Sequence, residues 1–256
     1  MSSPTGSASP AASGRETLWV IVPCFNEVDG VGETVGDVLR HAPKLPVDVR
    51  VLMVDDGSTD GTRERMAELC AAHAECSMLV NPRNMGTGRS VLRAYESIPD
   101  RSWVCVIPGD NELVFSSIDN HLAIRDRHDL VFGYLQNAVI RTIPRRFASW
   151  AFTKVVNTLY GFPWRYLNGM KLYRVEVFRG LEIRSSGHAF MAEMVAKAQL
   201  RRPELRIGEV PFVARGRARG GTKAARPAAI LRAVWDVWRG SRSVARFREQ
   251  VVRGGR

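Results

Sequence analysis

Val51-Leu52-Met53-Val54-Asp55-Asp56-Gly57-Ser58-Thr59-Asp60 decides the fold. Four apolar residues, two of them β-branched, suit a strand covered on both faces, as in a parallel sheet flanked by helices. Two carboxylates then stand at its carboxyl end, followed by a tight turn into a helix that starts near Gly61-Thr62. Ser58, Thr59 or Asp60 is the candidate cap of that helix. In open α/β sheets this is where ligands bind.

Working outward, the same pattern recurs. Leu18-Trp19-Val20-Ile21-Val22 reads as a strand ending in Pro23-Cys24-Phe25-Asn26-Glu27, because Pro23 donates no ladder hydrogen bond. A helix from about Gly30 to His41 follows. Met78-Leu79-Val80 is a short strand leading to Asn84-Met85-Gly86-Thr87-Gly88-Arg89 and a helix to about Ile98. Trp103-Val104-Cys105-Val106-Ile107 is a fourth strand, stopping at Pro108-Gly109-Asp110-Asn111-Glu112. Strands alternating with helices imply right-handed βαβ connections. Parallel strands share one carboxyl edge, so the four polar clusters converge there.

The order Pro23-x-Phe25-Asn26-Glu27, Asp55-Asp56-Gly57-Ser58-x-Asp60, Asn84-x-Gly86-x-Gly88 resembles the inverting family 2 glycosyltransferases of GT-A fold. Among them it is most similar to dolichyl- or polyprenyl-phosphate sugar synthases. Asn168-Gly169-Met170-Lys171, Gly187-x-x-Phe190-x-x-Glu193, Glu209-Val210-Pro211 and Arg219-Gly220-Gly221-Thr222-Lys223 extend the resemblance from Leu18 to about Lys223.

The resemblance implies an α/β fold, a GT-A-like, Rossmann-type, mainly parallel sheet flanked by helices. It implies a nucleoside-diphosphate sugar as donor, held by Pro23, Phe25, Glu27, Asp55, Asp56 and Gly86. The Gly86 and Gly88 turn would let backbone approach that ligand. Arg219 and Lys223 would close over the diphosphate. The family's Asp-x-Asp-x-Gln is Pro108-Gly109-Asp110-Asn111-Glu112 here. Asp110 and Glu112 would therefore hold Mg²⁺ or Mn²⁺, for which hard oxygen ligands suit. Arg145 and Ser149 match the family's grip on the acceptor phosphate, and Asp110, Arg145 and Ser149 form the expected catalytic set. Gly133-Tyr134-Leu135 replaces a Gly-Ser-Arg, so one phosphate-binding arginine is missing, with Arg141 or Arg146 as stand-ins. A hydroxyl acceptor would instead need a base, for which His188 and Glu193 are the nearest groups.

Charge divides the chain. Residues 201–256 carry fifteen Lys and Arg, fourteen of them Arg, against four Asp and Glu, whereas residues 1–200 balance at 22 and 22. The expected organisation is a leader over 1–15, a transferase domain over 16–223 and a basic amphipathic helix over 224–256. The transferase domain divides into a nucleotide-sugar half, 16–115, and an acceptor half, 116–223. Two helices carry apolar stripes suited to an anionic membrane surface. One bears Phe147, Trp150, Ala151, Val155 and Leu159. The other bears Ile230, Leu231, Val234, Trp235, Val237 and Trp238 beside Arg232, Arg239, Arg242 and Arg246. The alternative is that the second stripe packs on the catalytic domain and the arginines are merely solvated.

The leader is rich in Ser, Pro, Ala and Gly and has no apolar h-region. No uncharged apolar run reaches the ~20 residues of a membrane span. Cys24, Cys70, Cys76 and Cys105 lack metal-type spacing and fit a reducing compartment. The expected location is cytoplasmic, peripheral on the inner membrane face. The tail lacks the aromatic platforms of nucleic-acid binders, which disfavours that partner. A polyprenyl phosphate is the leading acceptor, and a small soluble molecule the other.

Overall fold

The computed structural model describes residues 15–137, 143–167, 169–187, 189–215 and 227–254. In the first half, β1 (Thr17–Cys24), β2 (Asp48–Asp55), β3 (Cys76–Val80) and β4 (Trp103–Val106) alternate with α1 (Val28–His41), α2 (Thr62–Ala72) and α3 (Thr87–Glu96). The second half contributes α4 (Ile118–Leu122), β5 (Leu130–Leu135), α5 (Ile143–Tyr160), β6 (Lys171–Arg174), α6 (Phe190–Arg201), β7 (Ile207–Phe212) and α7 (Pro227–Gly254). One seven-stranded sheet runs in the order β3-β2-β1-β4-β6-β5-β7. Strands β3, β2, β1 and β4 are parallel. β6 is antiparallel to β4 and β5, and β7 is parallel to β5.

The strand period of two distributes side chains between two cores. Val20, Val22, Val51 and Met53 face α1 and α2, where Val31, Val35, Val38 and Met66 complete one cluster. Ile21, Leu52, Val54 and Val104 face the other way, onto Val91 and Ala94 of α3 and the buried side of α6. Both faces are covered, so the central strands are continuous apolar runs rather than alternating ones. Each Val, Leu or Ile so buried contributes about 1.5–3 kcal/mol before entropy is counted. Register places Cys24 opposite Asp55 and Asp55 opposite Val80, so the ends of β1, β2 and β3 are level. β1 continues one residue beyond Pro23.

The basic C-terminal helix is present, and its stripe is divided. Val237 and Val244 are buried against the body. Val234, Trp235 and Trp238 are exposed, with Trp235 stacked on Trp238 at 4.6 Å and Arg242 lying 4.8 Å over Trp238. The packing expected of this stripe holds for one face of the helix, and the other face is left exposed. The side chains of Ile230, Leu231 and Arg232 lie outside the described residues. On α5, Phe147, Trp150, Val155 and Leu159 are exposed while Thr153, Val156 and Tyr160 point inward; Ala151 is half-buried. The Tyr160 hydroxyl donates to the Val237 carbonyl at 3.3 Å, joining α5 to α7. Among the described residues no helix is long and apolar enough to cross a membrane.

Candidate active site

The loops after β1 and β2 are sewn together by polar side chains. Asn26 sits in the left-handed region, with φ of 55°, which Asn tolerates better than most residues. Its amide donates to Ser58 Oγ at 3.0 Å, and its Oδ1 accepts from the Thr59 amide at 2.9 Å. The Glu27 amide donates to Thr62 Oγ1 at 2.9 Å and the Val28 amide to Asp60 Oδ2 at 3.3 Å. Of the three candidate caps, Asp60 takes the Thr62 amide at 3.1 Å. Pro23 is buried at this edge, and Phe25 stands partly exposed on it.

Asp55 and Asp56 have different surroundings. Asp55, fully buried, accepts from the Ser58 amide and from Arg63 Nε, both at 2.9 Å. Asp56 anchors the next loop: Oδ1 accepts from Asn81 Nδ2 at 2.9 Å and the Met85 amide at 2.8 Å, and Oδ2 from the Gly86 amide at 2.9 Å. Asp56 thus fixes the turn that leads into α3. The closeness allowed by Gly86 and Gly88 is spent on the chain itself. A Cβ on either would lie 2.9 or 2.8 Å from the Ser186 carbonyl oxygen, which accepts from the Gly88 amide.

The fourth loop packs under the first. The Gly109 amide donates to the Pro23 carbonyl at 3.2 Å, and a Cβ at Gly109 would lie 2.5 Å from Cys24 Sγ. Asp110 Oδ1 accepts from the Glu112 amide at 3.1 Å. Asn111, with φ of 54°, donates its amide to Thr34 Oγ1 at 3.0 Å. Arg215 braces the turn: its Nη1 bonds Asn111 Oδ1 at 2.9 Å, and its Nη2 pairs with Asp37 at 3.1 Å. Burial, then the charges of Glu27, Asp55, Asp110 and Asp60, push the Cys24 thiol far above its ordinary range. Four carboxylates from three loops are therefore felt at one point. A diphosphate brought here meets a negative edge, so the donor set of Asp110 and Glu112 fits a divalent cation, which needs only one or two carboxylates plus phosphate oxygens. Among the described residues no group of three or more His, Cys, Asp or Glu forms a self-sufficient metal cage.

In the acceptor half, Arg145 lies in the first turn of α5 and its side chain is outside the described residues; Arg146 is exposed. Ser149 Oγ is buried with no hydrogen-bond partner among the described residues. Arg165 lies 5.2 Å over the ring of Tyr134, whose neighbour Leu135 stands where the family pattern would carry an arginine. Glu193 is fully buried and bonds the Ser185 amide and Lys197 Nζ. Burial raises its pKa, but the bonds from Lys197 and Ser185 outweigh that and hold the carboxyl below its ordinary range. It is therefore occupied as an acceptor rather than poised as a base. Arg141, His188, Arg219 and Lys223 lie outside the described residues. Arg63 and Arg215, which hold Asp55 and the Asp110 turn, were missed from the sequence. Arg63 falls one position into α2, a spacing that aims it back at the strand end, whereas Arg215 carried no local signal.

The Glycosyl transferase family 2 profile matches residues 19–192. The chain belongs to this family. A dodecaprenyl-phosphate galacturonate synthase of Rhizobium johnstonii is 25% identical over 210 residues, covering 80% of this chain and 61% of that one. The dolichol-phosphate mannosyltransferase of Saccharomyces cerevisiae is 24% identical over 218 residues, 80% of this chain and 79% of that one. Among solved structures, the glucosyl-3-phosphoglycerate synthase of Mycobacterium tuberculosis, in complex with Mn²⁺, uridine diphosphate and phosphoglyceric acid, superposes with a TM-score of 0.65. It is 16% identical, covering 90% of this chain and 79% of that one. The fold is that of the GT-A glycosyltransferases. This chain spans 61%, 45% and 59% of the lengths of three of its curated relatives.

Proposed function

We propose that the protein transfers a sugar, with inversion, from a nucleoside-diphosphate sugar to the phosphate of a polyprenyl lipid at an anionic membrane surface. The observation that carries the donor side is the convergence of Phe25, Glu27, Asp55, the Gly86 turn and Asp110 at one edge of the sheet. In this reading Phe25 stacks on the base, Pro23 walls the pocket, and Glu27 and Asp55 accept hydrogen bonds from base or ribose. Asp56 acts one step back, by fixing Gly86. Asp110 and Glu112 would hold Mg²⁺ or Mn²⁺, which when bound supplies charge neutralisation for the departing nucleoside diphosphate. Arg219 and Lys223 would close over the same phosphates.

A phosphate monoester has its second pKa at about 6, so at neutral pH it is already an oxyanion and needs no strong base. Its oxygen attacks the anomeric carbon in line. A new carbon–oxygen bond forms as the bond to the nucleoside diphosphate breaks. Positioning and electrostatics carry the rate. The absence of a poised base at Glu193 supports a phosphate acceptor, and the Ser149 hydroxyl, without a partner among the described residues and one turn on from Arg145, supports α5 as its holder. The exposed tryptophans of α5 and α7, interleaved with arginine, support a bilayer as the place where the acceptor is met.

A small soluble acceptor is the second reading, favoured by Tyr134-Leu135 in place of the segment with the phosphate-binding arginine. The test is release of nucleoside diphosphate from nucleotide sugars with Mg²⁺ or Mn²⁺, with and without undecaprenyl phosphate in detergent. Lipid-dependent release is expected. Release that the lipid leaves unchanged would overturn the lipid acceptor in favour of the soluble one, and no release from any nucleotide sugar would overturn the transferase reading itself.

A further inference from the structure

The side of α7 that faces the body carries a carboxylate in contact with the candidate active site. Asp236, 8% exposed, accepts the Ser186 amide at 2.8 Å on Oδ1 and the Gly187 and Ala189 amides at 3.0 and 3.2 Å on Oδ2. The first two are donors of the loop ahead of α6, and the third belongs to its N-cap residue, Ala189, which has no side chain able to cap the helix. α6 is therefore capped from a different helix. Glu193 holds the same loop from below, through Arg184 and Ser185, and Lys197 ties Glu193 to Ser243 of α7 at 2.8 Å. The fit leaves no slack: a Cβ at Gly240 would lie 2.5 Å from the Tyr160 hydroxyl and 2.6 Å from Ser185 Oγ.

The far side of that loop is the Ser186 carbonyl, which receives the Gly88 amide at 2.9 Å. Asp236 and Gly88 thus grip one residue, Ser186, from opposite sides, and Asp56 holds Gly86 two positions earlier. We propose that Asp236 is a positioning residue through which α7 sets the Gly86–Gly88 turn of the donor site. Its neighbours Trp235 and Trp238 are exposed on the same turn of helix, so the helix read above as membrane-facing reaches the donor site through one carboxylate. The proposal rests on that reading only for its link to the bilayer.

The test is hydrogen exchange on the full chain, together with titration of uridine diphosphate in Mn²⁺, for wild type, Asp236→Asn and Asp236→Glu. In Asp236→Asn, exchange should accelerate about tenfold or more at Ser186 and Gly187 and also at Gly88, which Asp236 does not touch. The Kd for uridine diphosphate should rise about tenfold, with Asp236→Glu, which keeps the charge, recovering most of the affinity. A folded Asp236→Asn chain with wild-type exchange at Gly88 and wild-type Kd would overturn the proposal. Where Asp236→Asn does not fold, Gly88→Ala decides from the other side. Its Cβ displaces the Ser186 carbonyl, so the Ser186 and Gly187 amides should exchange faster, and unchanged exchange there would overturn the coupling. Neither readout needs turnover, so a chain that transfers no sugar bears on the proposed reaction alone.

Discussion

Replacing Asp56 by Asn tests whether the donor-side turn is held as described. The carboxylate takes three donors: Asn81 Nδ2 and the Met85 amide on one oxygen, and the Gly86 amide on the other. An amide in its place keeps one acceptor oxygen. Turned to serve Asn81 and Met85, it sets its own NH₂ against the Gly86 N–H, so that bond is lost and two donors face each other. Hydrogen bonds to a charged group contribute about 1.5–3 kcal/mol each, so losing one and neutralising two costs about 3 kcal/mol. Asp56 is buried, and solvent offers little relief. With a urea slope of about 3 kcal/mol/M for a chain this size, the unfolding midpoint should fall by about 1 M. Because the damage is at the Gly86 turn, affinity for uridine diphosphate should fall about tenfold in the fraction that remains folded. Equilibrium urea unfolding followed by fluorescence, with nucleotide titration below the transition, measures both. A midpoint within about 0.2 M of wild type at unchanged slope would refute the argument.

Three other outcomes are expected. His121 is fully buried between the Ser117 and Met170 carbonyls, and burial lowers its pKa to about 4. The unfolded chain binds a proton there between its ordinary 6.5 and 4 while the folded chain does not. The His121 contribution to stability should therefore be constant above pH 6.5 and fall by about 3 kcal/mol on acidification to pH 4; urea midpoints between pH 4 and 7 check it, with His121→Gln flattening the slope. Asp110→Asn should cut transfer about 100-fold and weaken Mn²⁺-dependent binding of uridine diphosphate, and full activity in the variant would remove Asp110 from the metal site. Replacing Trp235 and Trp238 together by Ser should abolish sedimentation with phosphatidylglycerol vesicles while changing stability by only about 0.5 kcal/mol, since both side chains are exposed.

The first half of the fold was legible because its signals are local. Each of the first four strands carries a local apolar run ended by Pro, Asn or a carboxylate, as strands covered on both faces require. The second half was less so. β6, Lys171–Arg174, is four residues of mixed character, and its insertion between β4 and β5 is a long-range pairing that no window of sequence encodes. The site was legible as a set of loops but not as a division of labour. Asp55-Asp56 reads as a pair of ligand-facing carboxylates, yet Asp56 is consumed by Asn81, Met85 and Gly86, and Asp55 is partly met by Arg63. Ser58, Thr59 and Asp60 read as three equivalent caps, but only the partner loop decides that Ser58 and Thr59 bind Asn26.

The C-terminal helix makes the same point about charge. Read by composition, its arginines are the message, and Asp236 is one of four acidic residues in the last 56. Packing reverses the weight: Arg239, Arg242 and Arg246 face solvent, while Asp236 turns inward to three amides. Val237 and Val244 turn in with it, so α7 contributes to the core as well as to the surface. Removing residues 226–256 would take away a cap of α6, two core valines and the Ser243 partner of Lys197. Loss of vesicle binding after such a truncation would follow from unfolding as readily as from loss of an anchor. The paired tryptophan substitution separates the two, because it changes only the face that the body of the protein leaves uncovered.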